Sequence, residues 1–318
     1  MEIIRGIDSF HLYHQEPIYL ALGNFDGVHC GHQVIIRTTV DLARAHNKKS
    51  AVLIFSPHPT MILRPERTTK LLLTVEDRIR MLGEAGVDYV IIHPFTPEFA
   101  AITPQQFITE ILHRKLSAAG VVVGYDYSFG SRGRGKPADL QKAAAELGFL
   151  VQIVERVSIG GEPVSSTAIR QLLQQGDLDK ANLMLGYPYF LRGMVIHGDG
   201  RGRTLGFPTA NLQPPPEIIL PANGVYLTQV KVKEEEYWAL TNVGLRPTFN
   251  KDEISVEVYL LTAQKNLYQQ ELIVSFLQRI REERKFPDAS ALVAQIQADV
   301  RQAKNMIKKM SAEKEIAL

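Results

Sequence analysis

The stretch LALGNFDGVHCGHQVII, residues 20–36, ends one apolar run at Gly23 and begins another after His32. Between the two runs lie Asp26, His29 and a series of glycines. An apolar run followed by a glycine-rich turn and an amphipathic segment is typical of a strand that leads into a helix. Ligands bind at the carboxyl ends of strands in open α/β sheets, and a helix N-terminus attracts anions. The stretch therefore predicts an anion-binding turn in an α/β fold.

The first half of the chain repeats this alternation of strand and helix patterns. Apolar runs without polar alternation, each followed by an amphipathic stretch, predict a parallel sheet that is covered on both faces. The predicted strands are residues 19–25, 50–55, 89–93, 120–124 and 150–154, and the predicted helices are residues 31–46, 75–85, 103–118 and 138–147.

The pattern changes after two short helical pieces, IRQLLQQG and LDKANLML, which end at residue 185. Short strands with frequent turns follow, and a helical pattern is expected from residue 271 onward, with a long helix over residues 288–309. Strands closed by a helix predict a small antiparallel barrel or sandwich. We therefore expect two domains, residues 1–184 and 185–318. The predicted strands of the second are residues 190–197, 224–232, 237–243 and 254–261.

The composition limits the classes of function. The 318 residues are 45% hydrophobic and 22% charged, which is typical of a globular protein of about two domains. A net charge of +2, from 36 basic and 34 acidic residues, gives no electrostatic indication of a nucleic-acid partner. Cys30 is the single cysteine, so an intrachain disulfide is excluded. The N-terminus lacks a signal-peptide pattern and the apolar runs are too short to cross a bilayer, so we expect a cytoplasmic protein without a membrane partner.

The two histidines of the opening stretch are three residues apart. If the helix begins there, His29 and His32 share one face of its first turn. Two imidazoles beside a helix N-terminus can bind phosphate oxygens and stabilise developing charge. A nucleotide can approach a glycine backbone closely. The alternative is a surface histidine pair without chemistry, which a short motif considered alone would favour.

Four motifs together carry a resemblance to a known family. GNFDGVHCGH, residues 23–32, resembles the His-x-Gly-His nucleotidyltransferase motif of the bacterial bifunctional riboflavin kinase and FMN adenylyltransferase (FAD synthetase) family. FSPHP at residues 55–59, GYDYSFGSRGRG at residues 124–135 and VSSTAIR at residues 164–170 resemble further motifs of that family, in the same order. The resemblance implies a Rossmann-like α/β nucleotidyltransferase domain.

By resemblance, the first domain transfers adenylate: the FMN phosphate attacks the α-phosphate of ATP and pyrophosphate leaves. This chemistry needs positioning and charge stabilisation and no covalent intermediate. His29 and His32 would be the catalytic residues. The resemblance implies a larger set of binding residues: Ser166, Thr167 and Arg170 for the β- and γ-phosphates, Gly23, Asn24, Phe25 and Asp26 for the nucleotide or its Mg²⁺, and Pro57, Pro59, Asp126 and Phe129 for the flavin side. Considered alone, Asp126 would be a turn residue and Arg170 a solvated helix residue.

The second half contains a glycine-rich stretch, DGRGRTLGFPTAN, at residues 199–211. It fits neither the dinucleotide-binding fingerprint nor a P-loop. A glycine-rich arch could still cradle phosphates, with a flexible hairpin loop as the alternative. The candidate residues of that arch are Gly200, Gly202, Arg203 and Gly206. Thr209 and Asn211 would point to one side of an extended segment and offer neutral oxygen ligands to Mg²⁺, unless PTAN is only a turn.

This half resembles riboflavin kinase over nearly its whole length. The matching segments are residues 193–212, 223–227, 242–249, 255–261 and 276–286. The family fold is a six-stranded antiparallel barrel with a C-terminal helix. The resemblance implies that Thr209 and Asn211 bind Mg²⁺ with ATP, and that Glu257 is the general base for the riboflavin 5′-hydroxyl. Without the resemblance, Glu257 would be a polar residue on the exposed face of a strand.

Two departures from the family pattern lie after the predicted catalytic strand. Tyr259 replaces a histidine, and Gln269, in TAQKNLYQQ at residues 262–270, replaces a glycine. We therefore expect a difference in loop conformation or flavin affinity there. The expected function is bifunctional flavin cofactor synthesis from riboflavin and FMN with ATP and Mg²⁺. The alternatives are an FMN adenylyltransferase with an inactive kinase half and, disfavoured by the charge balance, a flavin-sensing regulator.

Overall fold

The computed structural model of the protein describes residues 1–64, 66, 69–198, 201–247, 252–263 and 265–316. The chain forms two compact units, Met1–Ala168 and Ile169–Leu318. The change of pattern along the sequence also predicts two units. The domain boundary after residue 184 stays a prediction.

The N-terminal unit is built on a parallel sheet, as the apolar runs predict. Its strands are β1 (Glu2–Arg5), β2 (Ile18–Leu22), β3 (Lys49–Phe55), β4 (Tyr89–His93), β5 (Ala118–Gly124) and β6 (Leu150–Val154). Their order is β1-β4-β3-β2-β5-β6, and every neighbouring pair is parallel. The chain proceeds from β2 towards β4 on one side and returns to the other side of β2 with β5. The carboxyl ends of β2 and β5 therefore flank the crevice in which such sheets bind ligands.

Helices cover this sheet, and apolar residues of the strands form most of its core. The helices are α1 (Ile7–Tyr13), α2 (Cys30–Ala45), α3 (Pro59–Leu63), α4 (Val75–Glu84), α5 (Pro97–Ala101), α6 (Pro104–Gln106) and α7 (Pro137–Leu147). The predicted helix over residues 103–118 begins with α6 and continues as a π-helical segment, Phe107–Lys115. The periodicity of the sequence does not predict β1 and α1. A small hairpin of β7 (Ser158–Ile159) and β8 (Glu162–Pro163) precedes α8 (Ser166–Gln175).

The C-terminal unit is a closed antiparallel barrel, which confirms the barrel interpretation. Its strands are β9 (Phe190–Ile196), β10 (Ala210–Gln213), β11 (Gly224–Val232), β12 (Glu235–Pro247), β13 (Asp252–Leu260) and β14 (Glu271–Glu282). They follow the order β10-β13-β12-β11-β14-β9 around the barrel. The helices of this unit are α9 (Leu178–Leu185), α10 (Arg201–Thr204) and the long α11 (Ala289–Ile316). Within the described ranges no helix is both long and apolar enough to cross a membrane.

The helical pattern expected from residue 271 is wrong, because Glu271–Glu282 forms a strand of the barrel. Leu272, Val274 and Phe276 are fully buried, and the residues between them are partly exposed. This alternation is the period of a half-buried strand. The same segment pairs with β11 and β9 and so closes the barrel.

Candidate active sites

The turn between β2 and α2 has a strained backbone. Phe25 and Val28 have φ values of 50° and 35°, and Gly27 has a φ of 83°. A left-handed backbone is unfavourable for a β-branched residue such as Val28, and it persists only where surrounding contacts determine it. Phe25 is fully buried, so packing holds this turn in place.

The residues just before α4, and α4 itself, form hydrogen bonds with this turn. Asp26 is 1% exposed, and its carboxylate accepts hydrogen bonds from the backbone N–H of Leu72, at 3.0 and 3.1 Å, and of Leu73, at 3.1 Å. Arg78 donates from Nη1 to the carbonyl oxygen of Asn24 at 2.9 Å. Asp26 was predicted to organise the nucleotide or its Mg²⁺. These hydrogen bonds support the backbone of the turn, and the role towards the nucleotide or its Mg²⁺ stays a prediction.

The two histidines stand together where α2 begins. His29 is the N-cap residue, and its Nδ1 accepts a hydrogen bond from the backbone N–H of His32 at 3.3 Å. The two rings stack with centroids 3.6 Å apart and planes 15° apart. Their three-residue spacing thus places them on one face, as expected.

His32 has an unusual environment within this pair. Its Nδ1 is shielded from solvent and has no hydrogen-bond partner. Burial, followed by the charges of His29 and Arg78, holds the pKa of His32 well below its ordinary value. His32 is therefore a neutral imidazole at pH 7, able to donate one hydrogen bond and accept another.

A second helix begins beside the same turn. Ser165 accepts a hydrogen bond from the backbone N–H of Ala168 at 3.1 Å and so caps α8. Ser166 donates from Oγ to the carbonyl oxygen of Asp26 at 2.9 Å, which ties this helix start to the turn. Thr167 is exposed, and Arg170 lies about one helical turn after Ser166 and is half-buried. The N-termini of α2 and α8 therefore both approach the turn, with the positive ends that favour phosphate.

The predicted flavin-side residues follow β3 and β5, next to the crevice. Pro57 and Asp126 are exposed, and Pro59 is half-buried in the first turn of α3. Phe129 is 5% exposed and packs in the core against Phe107, with ring centroids 5.3 Å apart. Pro57 and Asp126 are thus accessible to solvent and the Phe129 ring belongs to the core, and a flavin-side role for the four residues stays a prediction. Of the predicted nucleotide residues, Gly23 is half-buried and Asn24 is exposed.

The register of the barrel builds the second site. Glu257 on β13 lies directly opposite Asn211 on β10 and opposite Asn242 on β12. Side chains of directly opposed residues point to the same face of a sheet. Thr209, just before β10, donates from Oγ1 to Glu257 Oε2 at 3.3 Å. The structure therefore brings together the three residues predicted for this site and adds Asn242, which the sequence analysis missed.

Two glycines make room for the side chains of Asn211 and Thr209. A Cβ atom on Gly198 would overlap the side-chain amide of Asn211, and one on Gly202 would overlap the carbonyl oxygen of Phe207 and lie 3.1 Å from Thr209 Oγ1. Only glycine therefore allows this close approach. Arg203 and Gly206 are exposed in and after α10. Gly200, also predicted to bind phosphate, lies outside the described residues.

A cleft of about 770 Å³ opens beside this cluster. Its lining includes Arg203, Thr209, Tyr259, Lys265 and Tyr268. Clefts of about 300–1,000 Å³ hold small ligands and cofactors. Polar and aromatic side chains thus surround a space of suitable size for a nucleotide.

Of the two departures from the family pattern, Tyr259 lines this cleft, and Gln269 follows Tyr268, which also lines it. Tyr259 lies edge-on to Phe207, with ring centroids 5.5 Å apart, and it packs on a hydrophobic cluster that includes residues of α11. Gln269 has a φ of 59°, in the left-handed region. Glycine adopts this conformation at little cost, and a residue with a side chain does not. The loop thus has a left-handed residue where the family has glycine.

The chemistry of the donors at this site fits Mg²⁺. Thr209 Oγ1 and the Asn211 side-chain oxygen are hard oxygen donors, which Mg²⁺ prefers. In the part of the chain that the structure describes, no group of three or more His, Cys, Asp or Glu residues is placed to hold a metal. An ion at this site would therefore depend on neutral oxygens and substrate phosphates.

Comparison with known proteins identifies both units. Residues 12–168 match the family model for FAD synthetase, and residues 185–307 match the family model for riboflavin kinase. Three curated relatives, each named bifunctional riboflavin kinase/FMN adenylyltransferase, are similar over most of their length. That of Listeria monocytogenes is 39% identical over 88% of this chain and 89% of its own. Those of Bacillus subtilis and Escherichia coli are 36% and 37% identical, over 95% and 94% of this chain and 97% and 96% of their own.

One solved structure matches both units. The crystal structure titled as a macrolide-efflux protein from Streptococcus pneumoniae has a TM-score of 0.86, is 32% identical and covers 96% of this chain and 99% of its own. Its title names an activity other than those of the curated relatives. Both family models and the names of the curated relatives give the same two activities. The chain therefore belongs to the bifunctional riboflavin kinase/FMN adenylyltransferase family and carries both of its enzyme domains.

Proposed function

We propose that the two domains act in sequence. Residues 185–318 would phosphorylate riboflavin with ATP to give FMN, and residues 1–184 would join FMN to the adenylate of a second ATP to give FAD and pyrophosphate. The observation that supports this proposal is that each unit has its own cluster of polar side chains, the stacked histidines in one unit and the Thr209–Glu257 pair in the other. We place both reactions in the cytoplasm, where ATP is supplied.

In the kinase reaction, we assign the proton transfer to Glu257. Its carboxylate would accept the proton of the riboflavin 5′-hydroxyl as that oxygen attacks the γ-phosphorus. The bond between the γ-phosphorus and the bridging oxygen breaks, and ADP leaves. Thr209 and Asn211 would orient the phosphates. Mg²⁺ bound there with ATP would neutralise phosphate charge.

In the adenylyl transfer, a phosphate oxygen of FMN would attack the α-phosphorus of ATP. The bond to the bridging oxygen breaks, and pyrophosphate leaves. A neutral His32 can donate a hydrogen bond to a phosphate oxygen, and His29 holds it in position through the cap of α2. Ser166, Thr167 and Arg170 would bind the leaving pyrophosphate at the start of α8.

Two single variants test this division of labour in the full chain. Glu257→Gln should stop FMN formation from riboflavin and leave the conversion of supplied FMN to FAD unchanged. His29→Ala should do the reverse. Flavins separated by chromatography over time give both rates. Equal loss of both activities in either variant would contradict the assignment of one reaction to each site.

A further inference from the structure

Arg78 on α4 has no role in the reaction steps proposed above, yet its environment is unusual. It is 1% exposed and is the largest fully buried side chain among the described residues. Its Nη1 donates to the carbonyl oxygen of Asn24 at 2.9 Å, whereas Nε and Nη2 are buried without a hydrogen-bond partner. A buried cation with unpaired donors is unfavourable unless negative charge compensates it.

The protein's own acidic groups compensate this charge only in part. The charges of Asp26 and Glu76 raise the pKa of Arg78, but burial has the larger effect and lowers it. The Asp26 carboxylate is already engaged with the N–H groups of Leu72 and Leu73. Positive charge that is only partly compensated therefore remains in contact with the turn.

The field of this charge reaches the histidine pair. Arg78 is one of the groups that lower the pKa of His32, after burial and His29. It is also bonded to the strained turn that carries the pair. A triphosphate bound at the histidines would place several negative charges within this field, and preorganised charge in a buried site acts strongly.

We propose that Arg78 is a positioning residue for adenylyl transfer: it fixes the turn through Asn24 and supplies buried positive charge beneath the histidine pair to the triphosphate of ATP. The inference rests on the adenylyl-transfer function proposed above for the N-terminal unit. Arg78 acts through Asn24 and His32 and does not itself take part in bond making or breaking.

Two variants separate its charge from its hydrogen bond. Arg78→Gln keeps a donor for Asn24 and removes the charge, whereas Arg78→Lys keeps the charge and removes the planar guanidinium. Arg80→Gln is the matched control, because Arg80 lies on the same helix in a partly exposed ion pair with Asp77, with 2.9 Å between Nη2 and Oδ1. Phosphorylation measured in the same preparation controls for the amount and folding of the C-terminal unit, and urea unfolding followed by circular dichroism controls for the folding of the N-terminal unit.

We expect Arg78→Gln to lower kcat for FMN adenylylation by roughly 10- to 100-fold, less than the loss of a direct transition-state donor. Riboflavin phosphorylation should be unchanged. Arg78→Lys should recover part of kcat, and Arg80→Gln should equal the wild type in both reactions.

The pH profile of kcat gives a second readout. The charged groups that act on His32 are His29 from the same turn of α2 and Arg78 from α4, and Arg78 itself faces Asp26 and Glu76. Removing the Arg78 charge makes His32 easier to protonate. The acid limb of the profile should therefore move to higher pH in Arg78→Gln and stay in place in Arg78→Lys.

Two outcomes would overturn the inference. One is an Arg78→Gln enzyme with the kcat and pH profile of the wild type. The other is an equal loss of adenylylation and phosphorylation, which would make Arg78 only a structural residue. His29→Ala separates this from failure of the proposed function: if it retains adenylylation, the site itself is misassigned, whereas an inactive His29→Ala beside a fully active Arg78→Gln rejects only the role of Arg78.

Discussion

Replacement of Asp26 with alanine tests whether its carboxylate holds the turn that carries the histidines. The carboxylate is buried and accepts the N–H groups of Leu72 and Leu73 at 3.0–3.1 Å. Each buried amide left unpaired costs about 1–3 kcal/mol. Two such amides predict a loss of about 2–6 kcal/mol in the free energy of unfolding of the N-terminal unit. The upper half of this range is expected, because buried Arg78 also loses a compensating charge.

Urea unfolding can follow each unit separately. The single tryptophan, Trp238, lies on β12 of the barrel, so its fluorescence reports on the C-terminal unit. Circular dichroism reports on both units. We expect Asp26→Ala to move a dichroism transition to lower urea, with the tryptophan transition unchanged.

Asp26→Asn is the matched control for this experiment. It keeps one acceptor oxygen, so it should lose about half as much stability as Asp26→Ala. FMN adenylylation should fall in both variants, more in the alanine variant, because the turn presents the histidine pair. A loss below about 1 kcal/mol in Asp26→Ala, or an equal shift of the tryptophan transition, would refute the reasoning.

Three further predictions concern single residues. Because the pKa of His32 is lowered in the folded state, the His32 ring is protonated at higher pH in the unfolded chain than in the folded chain. The neutral His32 ring therefore contributes fully to stability above about pH 6.5, and this contribution is lost as pH falls through the folded-state pKa. The difference between the urea midpoints of wild type and His32→Gln should therefore change between about pH 7 and 5, and a constant difference would contradict it. Gln269→Gly should raise the stability of the barrel by about 0.5–1 kcal/mol in tryptophan-monitored unfolding, because it relieves a left-handed φ of 59°; a loss of stability would count against that reason. Gly202→Ala should lower riboflavin phosphorylation by roughly tenfold or more, because its Cβ would displace the backbone that positions Thr209. FMN adenylylation measured in parallel should stay unchanged, and a fully active Gly202→Ala kinase would exclude this steric role.

The sequence predicted those elements whose ends are marked by turn residues or by a change of pattern. Tyr89–His93, Leu150–Val154 and Gly224–Val232 agree with the predicted strands at both ends. The helix prediction for Glu271–Glu282 was wrong because Ile273, Phe276 and Ile280 are also spaced as on one face of a helix. Only pairing with other strands decides between the two periods.

The candidate sites show the same limit. Spacing alone placed His29 and His32 on one face, since both lie in one helical turn. Arg78 contacts the turn through a hydrogen bond to Asn24, which lies 54 residues earlier in the chain. Asn242 lies opposite Glu257 only because of the register between their strands. Neither relation is contained in local periodicity, so both residues became visible only in the fold.

The fate of the phosphorus atoms of ATP tests the central claim most directly. We would incubate the pure chain with riboflavin and Mg²⁺ and with ATP labelled at either the γ- or the α-phosphorus, and then separate the flavins. The account predicts γ-label in FMN and in FAD, because the kinase reaction supplies the phosphate that both contain. It predicts α-label in FAD alone, because only adenylyl transfer moves that atom. FAD without α-label, or FMN without γ-label, would contradict the assignment of these two reactions to this chain.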